Sequence, residues 1–175
     1  CSSDLDALNN LGNAMGSKGK INEAIELYNR ALDLKPQYFE ACYNLASSLR
    51  QIGAIEPAIA AYCRALEINP QQSVIWNDLG VLYEMQGNSE KAINAFIKAI
   101  DTKPDYSEPY YNMANTLKNL SRFDDAIDAY RKAITIKPAF AEAYNNMGNT
   151  FQAQGKTGHA ITAYLQALVL KPRYP

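Results

Sequence analysis

Prolines 36, 70, 104, 138 and 172 recur every 34 residues, and each closes a stretch with the same internal layout. A period of this length describes a solenoid, because one short unit cannot bury its own apolar face and must stack on its neighbours. Counted from the third residue after a closing proline, the repeats span 5–38, 39–72, 73–106, 107–140 and 141–174 of a single domain over 1–175. Positions within a repeat are numbered from one to thirty-four below.

Position 20 is always alanine (Ala24, Ala58, Ala92, Ala126, Ala160), and so is position 27 (Ala31, Ala65, Ala99, Ala133, Ala167). Alanine favours helix and lets a second helix approach closely. Position 8 alternates between Gly12, Ala46, Gly80, Ala114 and Gly148, while position 24 carries Tyr28, Tyr62, Phe96, Tyr130 and Tyr164. Large side chains facing small ones let neighbouring helices interdigitate. Apolar spacing predicts one helix over positions 3–11 and a second over 17–30. Gly19, Gly53, Gly87 and Gly155 at position 15 suit a left-handed residue ending the first helix, with Ser121 as the one departure. The closing proline ends the second helix. Pro57 and Pro109 fall in first turns, where proline breaks no intrahelical bond.

Trp76, Leu79, Gly80, Tyr83, Gly87, Ala92, Phe96, Ala99 and Pro104 together resemble the signature of the tetratricopeptide repeat family, and the likeness runs from residue 5 to 172. The resemblance implies an all-α, right-handed superhelical solenoid of five helix-turn-helix repeats, and a protein-binding scaffold.

Composition narrows the partners. With 47% hydrophobic and 20% charged residues the chain reads as an ordinary globular protein, and no apolar run approaches membrane-spanning length. A net charge of −1 gives no reason to expect nucleic acid, which would favour a basic face. The expected location is cytoplasmic or nucleocytoplasmic. Cys1, Cys42 and Cys63 make neither a disulfide framework nor a zinc site, and Cys42 occupies a core slot. Cys1-Ser2-Ser3 resembles the mature start of a bacterial lipoprotein, which would anchor the chain through lipid.

On a helical wheel, positions 4, 7, 8 and 11 share the core side of the first helix, and positions 2, 6, 9 and 13 the opposite side. Position 6 reads Asn10, Asn44, Asp78, Asn112 and Asn146; position 9 reads Asn13, Ser47, Val81, Asn115 and Asn149. Two readings stand. In one, each carboxamide meets the amide and carbonyl of an extended polypeptide, with repeats spaced on the order of 10 Å. In the other, the asparagines bond along their helix or to the adjacent repeat. The candidate peptide-binding residues are Asn10, Asn13, Asn44, Asp78, Asn112, Asn115, Asn146 and Asn149.

The stretch from Phe140 to Thr150, with its aromatic two residues after the proline, resembles the superhelical repeats of O-GlcNAc transferase. That resemblance implies an asparagine ladder holding substrate polypeptides, and a place as the recognition part of such an enzyme. Tyr38, Tyr106, Phe140 and Tyr174 repeat the aromatic, Gln72 departs from it, and Asp78 and Val81 break the ladder. At that break Asp78 would select a basic or amide-donating side chain. Acids at position 2 (Asp6, Glu40, Glu108, Glu142, with Val74 between) border the same face and also favour the helix dipole. The family's clamp for chaperone carboxylate tails needs lysine or arginine where this chain offers Asn9, Val74 and Asp78, or Asn77, Glu142 and Asn146, so that mode is excluded.

No catalytic constellation, phosphate loop or cofactor motif emerges, and His159, the only histidine, falls near a helix start. A non-enzymatic protein-interaction module without cofactor or metal is therefore expected. At the far end Leu165 and Val169 stand where other repeats mostly place polar residues, and Arg173-Tyr174-Pro175 reads like a linker into a sixth repeat. This predicts a fragment of a longer array, or self-association through that end, and the second gives the alternative function of a self-assembling scaffold. At the beginning, Ser3 and Asp6 fit a capping box.

Overall fold

The computed structural model describes residues 2–171, with side chains from Asp4 onward. Cys1, Pro172, the Arg173-Tyr174-Pro175 linker and the Ser3 side chain of the expected capping box lie outside the described residues. The described residues form ten helices: α1 Ser2–Ser17, α2 Ile21–Leu34, α3 Phe39–Gln51, α4 Ile55–Ile68, α5 Ser73–Met85, α6 Ser89–Thr102, α7 Ser107–Asn119, α8 Phe123–Ile136, α9 Ala141–Ala153 and α10 Thr157–Leu170. The second helix of every repeat covers positions 17–30 as expected. The first helices α3, α5, α7 and α9 reach two residues beyond the apolar pattern at each end, and Ser73, Ser107 and Ala141 at position 1 are buried although that pattern begins at position 3. Helix α1 starts earlier still, which places Ser3 inside it.

Two compact units divide the chain, one up to Ile75 and one from Trp76. In the first, α1 packs on α2, α2 on α3 and α3 on α4; in the second, α6 packs on α7, α7 on α8, α8 on α9 and α9 on α10. Each first helix ends on a left-handed residue, with φ of 77°, 76°, 75° and 72° at Gly19, Gly53, Gly87 and Gly155, and 59° at Ser121. The next amide then reaches the carbonyl five residues back, as in Asn88 to Tyr83 at 2.8 Å and Arg122 to Leu117 at 2.9 Å. That bond occupies a carbonyl the helix would otherwise leave open.

The alanines at positions 20 and 27 are at most 2% exposed in all five repeats, which brings the paired helices into close contact. Position 8 shows a further rule. A methyl group on Gly12 would fall 2.5 Å from the Tyr28 ring, and one on Gly148 would fall 2.6 Å from the Tyr164 ring. Ala46 and Ala114 nevertheless fit the same slot, fully buried. The difference lies at position 5, which is Asn9, Tyr43, Asn77, Tyr111 and Asn145. Tyr43 leans on Tyr62 at 6.0 Å and 54°, and Tyr111 on Tyr130 at 6.1 Å and 56°. The position-5 ring braces the position-24 ring from the side and leaves room for the alanine methyl. Where position 5 is asparagine, the ring lies directly over position 8 and only glycine fits.

Candidate functional site

The asparagines at positions 6 and 9 all project from first helices, but they are not a uniformly open stripe. Asn10, Asn13 and Asn149 are exposed, whereas Asn44, Asp78, Asn112, Asn115 and Asn146 are half-buried. The wheel places these residues away from their own repeat's core and does not account for the adjoining repeat, which covers their sides.

Position 9 accepts a hydrogen bond from the aromatic of its own repeat. Tyr28 Oη donates to Asn13 Oδ1 at 2.8 Å, Tyr130 Oη to Asn115 Oδ1 at 2.6 Å, and Tyr164 Oη to Asn149 Oδ1 at 2.8 Å. Position 6 donates backwards to the preceding repeat. Asn44 Nδ2 reaches Asn9 Oδ1 at 2.9 Å, and Asn112 Nδ2 reaches Asn77 Oδ1 at 2.9 Å. Asn146 Nδ2 lies 2.9 Å from Asn115 Oδ1 and 3.0 Å from Tyr111 Oη. The acceptors Asn9, Asn77 and Tyr111 belong to position 5, which sequence reasoning missed. Its alternation in step with position 8 was the available signal.

The third repeat lacks this tooth. Phe96 has no hydroxyl to donate, and Val81 has no carbonyl to receive one. The two losses occur together, so neither strands a buried polar atom. Between them opens a cavity of about 250 Å3 lined by Val81, Met85, Phe96, Asn112, Asn115 and Thr116, with Glu84 and Asn119 beside them. A larger cavity of about 590 Å3 lies on the other side of α7, against Ile93, Ile97, Tyr110 and Met113.

Electrostatics follow from the same packing. Burial pushes the Tyr130 phenol above its ordinary pKa, with Tyr111 adding to the shift. The Tyr38 phenol is pushed up to about 12 by burial and by Asp6, whose carboxylate accepts a hydrogen bond from the hydroxyl at 2.8 Å. Of the acidic row, Glu108 pairs with Lys137 at 3.6 Å and Glu142 with Lys171 at 3.5 Å. The Glu142 carboxyl is held below the usual range first by its own backbone amide at the helix start and then by Lys171. These two acids lie in the first turns of α7 and α9, where they favour the helix dipole, and each pairs with the lysine near the end of its own repeat. Lys137 in turn sits 4.4 Å above the Phe140 ring, giving the post-proline aromatic a packing role.

Cys42 is buried and Cys63 half-buried, and neither is in a disulfide. His159 is exposed, its ring 5.2 Å from Phe151. Among the described residues no cluster of three metal-ligating side chains occurs, and no helix is long and apolar enough to cross a membrane. On α10, Ile161, Leu165 and Val169 are 54%, 56% and 74% exposed.

Family models described as TPR repeat match residues 12–53 and 120–155, and models described as tetratricopeptide repeat match 39–72, 61–94, 95–128 and 141–174. The chain belongs to the tetratricopeptide repeat family. Tetratricopeptide repeat proteins generally serve as protein-interaction scaffolds. Two crystal structures of MamA match with TM-scores of 0.92 and 0.89 at 25% and 26% identity, covering 99% and 93% of this chain and 94% and 95% of theirs. YrrB, a TPR protein with an unusual peptide-binding site, matches at TM-score 0.81 and 18% identity over 95% of this chain and 86% of that one, a likeness of fold alone. No curated protein matches the chain by sequence.

Proposed function

We propose that the asparagine face of α7 and α9 holds an extended polypeptide by its backbone, as a non-enzymatic interaction module. One observation carries this reading: the hydrogen-bonded row of Asn112, Asn115 and Asn146. Asn115 Oδ1 accepts from both Tyr130 and Asn146, which leaves its two amide hydrogens to donate to a ligand. Asn146 spends its amide on Asn115 and Tyr111, which leaves its carbonyl. Asn112 keeps one N–H and its carbonyl after bonding Asn77. Fixed donors thus alternate with fixed acceptors, the pattern an extended backbone requires, and their prior bonding lowers the ordering cost of binding. In the first compact unit Asn10, Asn13 and Asn44 offer the corresponding face. Asn149 and Asp78 extend the row in the second.

The peptide-binding site named for YrrB is a precedent for such use of the fold. A role as the recognition part of an O-GlcNAc-transferase-like protein rests on the repeat sequences alone. The test is an array of unstructured peptides against the native chain and an Asn112→Ala, Asn146→Ala variant shown to be helical by circular dichroism. Binding lost in the folded variant supports the reading. Binding that survives unchanged removes it.

The open apolar face of α10 favours a second reading, in which copies associate through Leu165 and Val169. Light scattering of the native chain against a Leu165→Glu, Val169→Glu variant decides it: concentration-dependent oligomers present in the first and absent in the second are required.

A further inference from the structure

The third repeat has Val81 and Phe96 where repeats one, four and five have asparagine and tyrosine. In repeats one, four and five, a tyrosine hydroxyl and an asparagine carbonyl fill the space above the first helix at position 9. Phe96 and Val81 leave that space as the cavity of about 250 Å3. It is smaller than the usual small-molecule site and suits one side chain of a longer ligand. Its walls are mixed. Val81, Met85 and the edge of Phe96 are apolar, and Met85 is 62% exposed although large and hydrophobic. Glu84 contributes the one charge among the lining residues, and no lysine or arginine lines the cavity. The Glu84 carboxylate is held in place through Oε2, which accepts from the Thr116 hydroxyl at 3.0 Å, so Oε1 has capacity to receive a donor.

We infer that this cavity receives an arginine side chain of the bound polypeptide, its stem lying on Val81, Met85 and Phe96 and its guanidinium donating to Glu84. The inference rests on the proposed backbone-binding face, since Asn112 and Asn115 line the same cavity and would hold the flanking main chain. A long cation with an apolar stem matches an apolar wall ending in a carboxylate, whereas an acidic residue would meet Glu84 unpaired. The backbone contacts thus provide general grip and this one pocket provides selection.

The probe is a short glycine-serine peptide with a single central arginine, beside the same peptide with citrulline, which is isosteric and uncharged. Binding is followed by nuclear magnetic resonance of isotope-labelled methionine methyls, because Met85 is one of only four methionines and lies in the cavity wall. The arginine peptide is expected to shift the Met85 methyl and to bind about fivefold more tightly than the citrulline peptide, as a partly screened ion pair would give. Glu84→Gln keeps an acceptor for Thr116 and is expected to erase that ratio. The double variant Val81→Asn, Phe96→Tyr rebuilds the tooth of the other repeats and is expected to abolish the Met85 shift and to bring the two peptides to equal affinity. Equal affinities for the two peptides, or a ratio that survives Glu84→Gln, overturn the pocket while the backbone-binding face stands. Failure of both peptides to bind at millimolar concentration overturns both.

Discussion

The third and fourth repeats share their helix boundaries and solve one packing problem in two ways. In the third, Asn77, Gly80, Val81 and Phe96 form a ring seated directly on glycine with no polar tooth. In the fourth, Tyr111 braces Tyr130, Ala114 fills the slot beneath, and Asn115 receives the tyrosine hydroxyl at 2.6 Å. The lesson is that residues are inherited in sets. A glycine calls for asparagine at position 5, and a phenylalanine for an apolar residue at position 9, because mismatched members would either collide or leave a polar atom unpaired.

The most severe way to break the comparison is to mix the sets. Gly80→Ala drives a methyl into the Phe96 ring and is expected to cost about 1–3 kcal/mol in chemical denaturation. Adding Asn77→Tyr should recover much of that loss by bracing the ring as Tyr111 does. A next, smaller effect is expected from Tyr130→Phe, which removes a buried donor from Asn115 and should cost about 1 kcal/mol. The same variant sharpens the pH dependence. Because burial raises the folded-state pKa of Tyr130, its contribution is complete below the unfolded value near 10 and is lost as pH rises beyond it. Thermal melts above that pH should fall less steeply for Tyr130→Phe than for the native chain. Tyr38, pushed up to about 12, adds to the alkaline loss in both.

Transplanting the tooth is a gentler test. Val81→Asn alone should be neutral or destabilising, and with Phe96→Tyr the pair should show a favourable coupling of about 0.5–1.5 kcal/mol in a double-mutant cycle. A coupling near zero would mean that the tooth in the fourth repeat depends on Tyr111 and Asn146 rather than on its own two members. The smallest effect separates the turns. Gly87 and Ser121 both adopt positive φ, at 75° and 59°, so Ser121→Gly should stabilise by up to about 1 kcal/mol, while Gly87→Ser should do the reverse.

Much of the fold was legible because the period itself carries it. The helix pairs, the left-handed glycines and the invariant alanines follow from spacing and residue size, whereas Ser121, the departure from the glycine pattern, is shown to share the left-handed turn only by its φ of 59°. The exposed apolar face of α10 was legible at Leu165 and Val169 for the same reason. The candidate site was read in part. Its asparagines were visible, but a wheel drawn on one helix shows neither the backward bond from Asn112 to Asn77 nor the hydroxyl from Tyr130 to Asn115. Such bonds join residues fifteen or thirty-five apart in sequence.

What the sequence by itself determined is the repeat: its length, its two helices, its turn and the sides each helix buries, all consequences of local periodicity and steric allowance. Only the tertiary structure decided how each asparagine is spent. Hydrogen-bond valence is consumed by whichever partner stacking brings within about 3 Å, and that distance is set by neighbouring repeats rather than by neighbouring residues.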